Sequence, residues 1–184
     1  TEEGAVEEAP AWSPDGQWIA CHRMRPQRPG TLAKAKLGSS APPVDLIENV
    51  DMTAVPEWSP DSEWIACAIV DKPGITLVSP EGKPSRFLPG VSKPLAWSRG
   101  GKTIYQVRGT WEDSTLVAID VVSGKERVIR DLGPLRPDAC VSCGWRVSAS
   151  PDGKNLVSSV MRLRSEIWLL HGLRLLPPWY ASLF

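Results

Sequence analysis

The sequence holds little that would announce a reaction. It has no Gly-x-Ser-x-Gly nucleophile elbow, no His-Glu-x-x-His zinc helix, no P-loop and no Gly-x-Gly-x-x-Gly fingerprint. Those absences remove the usual local signatures of α/β-hydrolases, zinc peptidases, nucleotide-driven enzymes and dinucleotide-dependent dehydrogenases. Imidazole is scarce, with His22 and His171 the only two in 184 residues. There is no net charge either: 21 Lys+Arg stand against 21 Asp+Glu, so no sequence-wide field favours nucleic acid or an anionic membrane surface. The opening "TEEGAVEEAP" is acidic and lacks the apolar core of a signal peptide. The longest apolar stretch, "IWLLHGLRLL", falls well short of the roughly 20 residues that span a bilayer. Tyrosine and phenylalanine are sparse, at two each, while tryptophan reaches nine and falls mostly in short strand-like segments, where it reads as packing.

Four cysteines give little metal or redox signal. Cys140 and Cys143 form a Cys-x-x-Cys, but a structural zinc site wants four ligands and no second pair lies nearby, so a loop disulfide or free thiols is the better reading. Cys21 and Cys67 occupy one repeated slot that holds Gln106 and Ser158 elsewhere. A slot that accepts Gln and Ser does not demand a ligand, and these two read as small packing residues. No metal and no cofactor is expected. His22, after a strand and beside arginines, and His171, beside Gly172, read as ordinary surface histidines.

What the chain does have is repetition. "AWSPDGQWIAC", residues 11 to 21, returns as "EWSPDSEWIAC" at 57 to 67. The same slot holds Trp12, Trp58, Trp97 and Ala149, followed by Ser13-Pro14-Asp15-Gly16, Ser59-Pro60-Asp61-Ser62, Ser98-Arg99-Gly100-Gly101 and Ser150-Pro151-Asp152-Gly153. The spacing is roughly 40 to 50 residues, around the period of about 40 to 45 for four-stranded propeller units and too long for leucine-rich ones.

Each unit has a mechanical reading. Ser-Pro-Asp-Gly suits a type I turn, with Pro fixing φ at the second position and Gly favoured at the fourth. Pro14, Asp15, Gly16, Pro60, Asp61, Pro151, Asp152 and Gly153 are therefore structural turn residues. After each turn comes a short run, "QWIAC", "EWIAC", "KTIYQ" or "KNLVS", with Ile19, Ile65, Ile104 and Leu156 in register. These runs are apolar on neighbouring positions, which suits a sheet buried on both faces. The outer half of a unit is clearest in "TLVAIDVVSGKERVIRDL", residues 115 to 132, where an apolar strand turns at Ser123-Gly124-Lys125 into a strand mixing apolar residues with charge. "SEIWLLHGL" reads as a strand of the last unit.

The phrase "PAWSPDGQWIA", with its variant "PEWSPDSEWIA", resembles the repeat of the TolB-like (WD-like) bacterial β-propeller family. The resemblance covers roughly residues 10 to 170; Arg99, Gly100 and Ala149 depart from it. It implies an all-β fold, a β-propeller of four-stranded antiparallel blades. Residues 1–184 then form one propeller segment with blades at about 10–50, 54–90, 94–133 and 144–176 and a tail at 177–184. Four blades fall short of the family's six or so: either they close on themselves as a small propeller or, as the resemblance favours, they are the C-terminal part of a larger ring whose upstream blades lie outside the chain.

The functional expectation from the same resemblance is a non-catalytic scaffold that binds a protein or peptide, located in the bacterial periplasm or envelope. Two other readings stand beside it: a sensory or ligand-binding module at the C-terminal end of a bacterial regulator or receptor kinase, and the gating propeller of a prolyl-oligopeptidase-type serine peptidase whose catalytic domain is absent. No catalytic residue is assigned. Partner contact is assigned to Arg23, Arg25 and Arg28 in the proline-containing loop "CHRMRPQRPG", and to Trp111 in "RGTWEDS". Arg162 and Arg164 form a smaller basic pair.

Overall fold

A computed structural model describes residues 4–82, 86–90, 96–109, 113–133, 147–149 and 155–158. Every regular element among them is a β-strand. Sheet I holds β1 (Val6–Trp12), β2 (Trp18–Met24), β3 (Thr31–Lys36) and β4 (Val44–Glu48), paired in that order. Sheet II repeats the plan with β5 (Glu57–Trp58), β6 (Ile65–Ile69), β7 (Lys72–Val78) and β8 (Arg86–Pro89), and sheet III with β9 (Ala96–Trp97), β10 (Thr103–Gly109), β11 (Ser114–Asp120) and β12 (Glu126–Gly133). A further pair, β13 (Val147–Ala149) with β14 (Leu156–Ser158), continues the series. All pairings are antiparallel. The segment expected to give a strand at "SEIWLLHGL" lies outside the described residues.

The repeated turn works as the sequence anticipates and does more. In sheet I the Gly16 amide donates to the Ser13 carbonyl at 2.9 Å, closing the turn. The Ser13 hydroxyl then donates to Asp15 Oδ1 at 2.5 Å and accepts the Trp18 amide at 2.9 Å, while the Gln17 amide donates to Asp15 Oδ1 at 3.0 Å. Sheet II reproduces the set with Ser59, Asp61, Glu63 and Trp64. Local donors that a tight turn would strand are thereby satisfied, which is why this tetrapeptide starts β2 and β6 at fixed register. The fourth position is left-handed, with φ +71° at Gly16 and +68° at Gly101, and Ser62 adopts +62° there at a cost glycine avoids. Between β9 and β10 the turn keeps its backbone bonds, Gly101 amide to Ser98 carbonyl at 2.9 Å and Thr103 amide to Ser98 Oγ at 3.1 Å, without a carboxylate, since Gly100 fills that slot. The β7–β8 turn borrows the same device: Ser79 donates to Glu81 Oε2 at 2.6 Å and the Gly82 amide to the Ser79 carbonyl.

The core lies in two seams between successive sheets. Ala20, Leu32 and Val50 meet Trp58, Ile65, Cys67 and Val78 in the seam between I and II. Ala66, Ile75, Leu77 and Leu88 meet Trp97, Ile104, Ile119 and Val121 in the seam between II and III. Sheet II is thus buried on both faces, which is why β6 and the Gly74–Val78 part of β7 are buried at consecutive positions rather than alternating. The outermost strand β12 is exposed along nearly its whole length, with Val128, Ile129 and Leu132 interleaved with charge. Charges and the register shifts on its pairing with β11 blunt that edge.

Candidate functional site

Sheets II and III are each tied to the sheet before by a tryptophan. The Trp58 indole Nε1 donates to the Ala11 carbonyl at 3.0 Å, and the Trp97 indole Nε1 to the Glu57 carbonyl at 3.2 Å. Ala11 and Glu57 each precede the tryptophan slot of their own unit. The rule is therefore one indole to the carbonyl just before the previous unit's aromatic. Trp58 and Trp97 are 7% and 8% exposed, but Trp12, first in the series, is 58% exposed.

Trp12 shares its face of sheet I with a compact ionic group. Arg23, only 2% exposed, places Nε 3.2 Å from Glu7 Oε1 and Nη1 3.5 Å from Asp45 Oδ1, and donates to the Pro43 carbonyl at 3.3 Å. Arg25 Nη2 reaches both oxygens of Asp45, at 2.8 and 3.2 Å. Two cations and two anions thus offset one another on the face that sheet II does not cover, and without them a strand could not carry a buried guanidinium.

The residues expected to meet a partner are separated by this arrangement. Arg23 lies in β2, not in a loop, because its charge is neutralised from β1 and β4. Arg25 follows the strand and is held by Asp45. Arg28 stands exposed in the turn closed by its own amide on the Arg25 carbonyl at 3.2 Å. Trp111, His171, Cys140, Cys143, Arg162, Arg164, Pro151, Asp152 and Gly153 lie outside the described residues.

His22 corrects the expectation of a surface histidine. It sits in β2 with no exposed surface, opposite Glu8 of β1 and Leu32 of β3. Strand alternation puts it on the Ala20 face, toward sheet II. Cys21 and Cys67 are free and buried, as packing residues should be, and burial pushes the Cys67 thiol up to about 12. Gln106, in the same slot of sheet III, is buried too.

A crossover from β4 to β5 seals the seam beside His22. The Val50 amide donates to the Gly30 carbonyl of sheet I at 3.0 Å, while the Asp51 amide donates to the Ala68 carbonyl of sheet II at 3.0 Å and the Val70 amide to the Asn49 carbonyl at 2.9 Å. A Cβ at Gly30 would stand 2.5 Å from Met52 Sδ, so the methionine side chain could not keep its place there. Outside the crossover runs an open groove of about 450 Å³ lined by Asp51, Ile69, Val70, Asp71, Lys72 and Pro73. Val6, Met24 and Val70 are exposed near this loop end of the sheets. Among the described residues no group of three or more His, Cys, Asp or Glu side chains is placed to hold a metal ion, and no helix is long and apolar enough to cross a membrane.

Solved structures share this fold. TolB from Acinetobacter baumannii superposes with a TM-score of 0.64 at 15% identity, over 83% of this chain and 37% of that one. Oligogalacturonate lyase from Vibrio parahaemolyticus gives 0.62 at 12% identity, over 86% and 48%. The β-propeller domain of the trilobed protease from Pyrococcus furiosus gives 0.52 at 22% identity, over 73% and 45%. The chain spans less than half the length of each of these three. No family model matches it, and no match is found among curated protein sequences. The described strands share the fold of these structures, a TolB and the β-propeller domain of a protease among them.

Proposed function

We propose that the chain is a segment of a larger TolB-like propeller, of about six blades, that serves as a non-catalytic protein-interaction scaffold in the bacterial envelope. One observation carries the reading: Trp12 lies open in a slot that is an inter-sheet contact in each of the next two units. A half-exposed indole beside a neutralised ionic group is a face suited to receive another wedge, whose inner strand would offer a carbonyl to Trp12. The loop end, with exposed Arg28, Met24 and Val70, is the surface left for a protein or peptide partner.

The test compares one substitution in two contexts. Trp12→Ala should change stability little in the 184-residue chain, but cost about 3–5 kcal/mol, as Trp58→Ala would, in the complete gene product carrying an upstream wedge. A gene with nothing upstream, or equally small effects in both contexts, overturns the larger ring. Turnover of fluorogenic prolyl peptides by the purified chain overturns the non-catalytic reading.

A second reading is favoured by the likeness to a protease propeller: the chain would gate access to a hydrolase domain. Flanking sequence encoding such a domain selects it; a kinase or DNA-binding domain selects a sensory module instead.

A further inference from the structure

The seam between sheets I and II contains a titratable side chain that no packing argument requires. Apolar residues fill the rest of that seam, and the equivalent slot in sheet II is Ala68. His22 is fully buried there, and neither ring nitrogen makes a hydrogen bond of normal geometry; the polar group that meets it is the Met52 main chain. A neutral imidazole tolerates this site, whereas an imidazolium would need a counter-charge or water.

The groups able to answer that charge can be named for each element around it. Glu8 of β1 stands directly opposite, and Asp51 comes from the crossover. β3 contributes Leu32, and sheet II contributes Ile65, Ile69 and the Cys67 thiol, which is neutral throughout the ordinary pH range. Burial lowers the His22 pKa, with Glu8, the Met52 main chain and Asp51 opposing.

Asp51 is already engaged. Its Oδ1 accepts the Thr53 amide at 2.9 Å and the Thr53 hydroxyl at 2.6 Å, and its carbonyl accepts the Ala54 amide at 3.1 Å. Those bonds shape the crossover whose amides stitch sheet I to sheet II. Asp51 cannot swing toward the imidazole and keep them all.

We propose that His22 is an acid-sensitive latch: its protonation draws Asp51 off Thr53, loosens the crossover at residues 49–54 and widens the adjoining groove between Asp51 and the β6–β7 hairpin. Above the ordinary histidine range the latch is closed. As pH falls below it, the unfolded or opened forms take up the proton first, and the closed seam loses its advantage. Asp51 belongs both to the crossover and to the groove lining, so a change at His22 reaches the groove through that one residue.

Amide hydrogen exchange on the intact chain, corrected for the intrinsic pH dependence of exchange, tests this. Protection at Val50, Asp51 and Val70 should fall at least tenfold between about pH 7.5 and about pH 5, while Val117 and Ile119 in sheet III hold theirs. His22→Gln should remove the fall and His171→Gln should keep it. Constant protection at the three seam amides, parallel loss in sheet III, or an unchanged pH dependence in His22→Gln each overturns the latch. Should His22→Gln fail to fold, NMR titration of the wild-type His22 ring decides, since a midpoint that does not coincide with seam opening also overturns it.

Discussion

The Trp58 indole donates to the carbonyl of Ala11, a residue in the preceding sheet, and Trp97 makes the corresponding bond to Glu57. A conserved-looking aromatic in a repeat could be mere filling; here it is also the directional link between units. Removing the donor loses that bond between the sheets.

Trp58→Phe keeps most of the ring and loses that donor, so it should cost about 1–3 kcal/mol, with Trp58→Ala costing about 3–5 kcal/mol. Denaturant unfolding midpoints check both. If Trp58→Phe is as stable as wild type, the indole bond contributes nothing and only the packing matters.

The turn before β10 is unfinished, and completing it should help. Gly100 has open space where a Cβ would go and does not occupy a left-handed conformation. Gly100→Asp should place a carboxylate to accept from Ser98 and the next amides, as Asp15 does, and raise stability by about 1 kcal/mol. Ser62→Gly should give a similar gain by relieving the left-handed φ of +62°. Calorimetry on the two variants, singly and combined, reads the sum.

Asp45 holds two arginines at once. Asp45→Ala should cost about 2–4 kcal/mol by removing one of the two carboxylates that answer Arg23 and the one that holds Arg25, whereas Arg23→Met, which removes the buried charge and keeps the stem, should cost less. The order of the two melting temperatures is the measurement, and the reverse order would show that the ionic group is dispensable.

The Asp15 carboxyl is held below its usual value, first by the Ser13 hydroxyl and then by the Gln17 amide. The folded chain therefore binds that proton less readily than the unfolded one. The turn's contribution is whole above the ordinary aspartate range and is lost as pH falls through the folded value. Asp15→Asn should accordingly flatten the stability curve below about pH 4, measured by urea unfolding at stepped pH.

How much of this was legible follows from distance along the chain. The turns could be read because Ser13, Asp15, Gln17 and Trp18 interact within five residues, so their chemistry is written as a word. Sheet order followed from repeating that word. The ionic group could not be read, since Arg23 is neutralised by Glu7 and Asp45 from two other strands; the arginines looked like a loop because Pro26 and Pro29 follow them. His22 was misplaced for the same reason: its neighbours suggested a strand end, while β2 runs on to Met24. The exposure of Trp12 has no local signature at all. Its sequence matches that of Trp58, and only the sheet packed before Trp58 distinguishes them.

The indole bond at each of the two junctions among sheets I, II and III has a mechanical consequence. The indole bonds and core seams fasten sheet I to II and sheet II to III, so tension applied along the chain should peel the wedges off in turn. Pulled in an optical trap, the molecule should yield in discrete steps of about forty residues, each rip ending where the next tryptophan still grips.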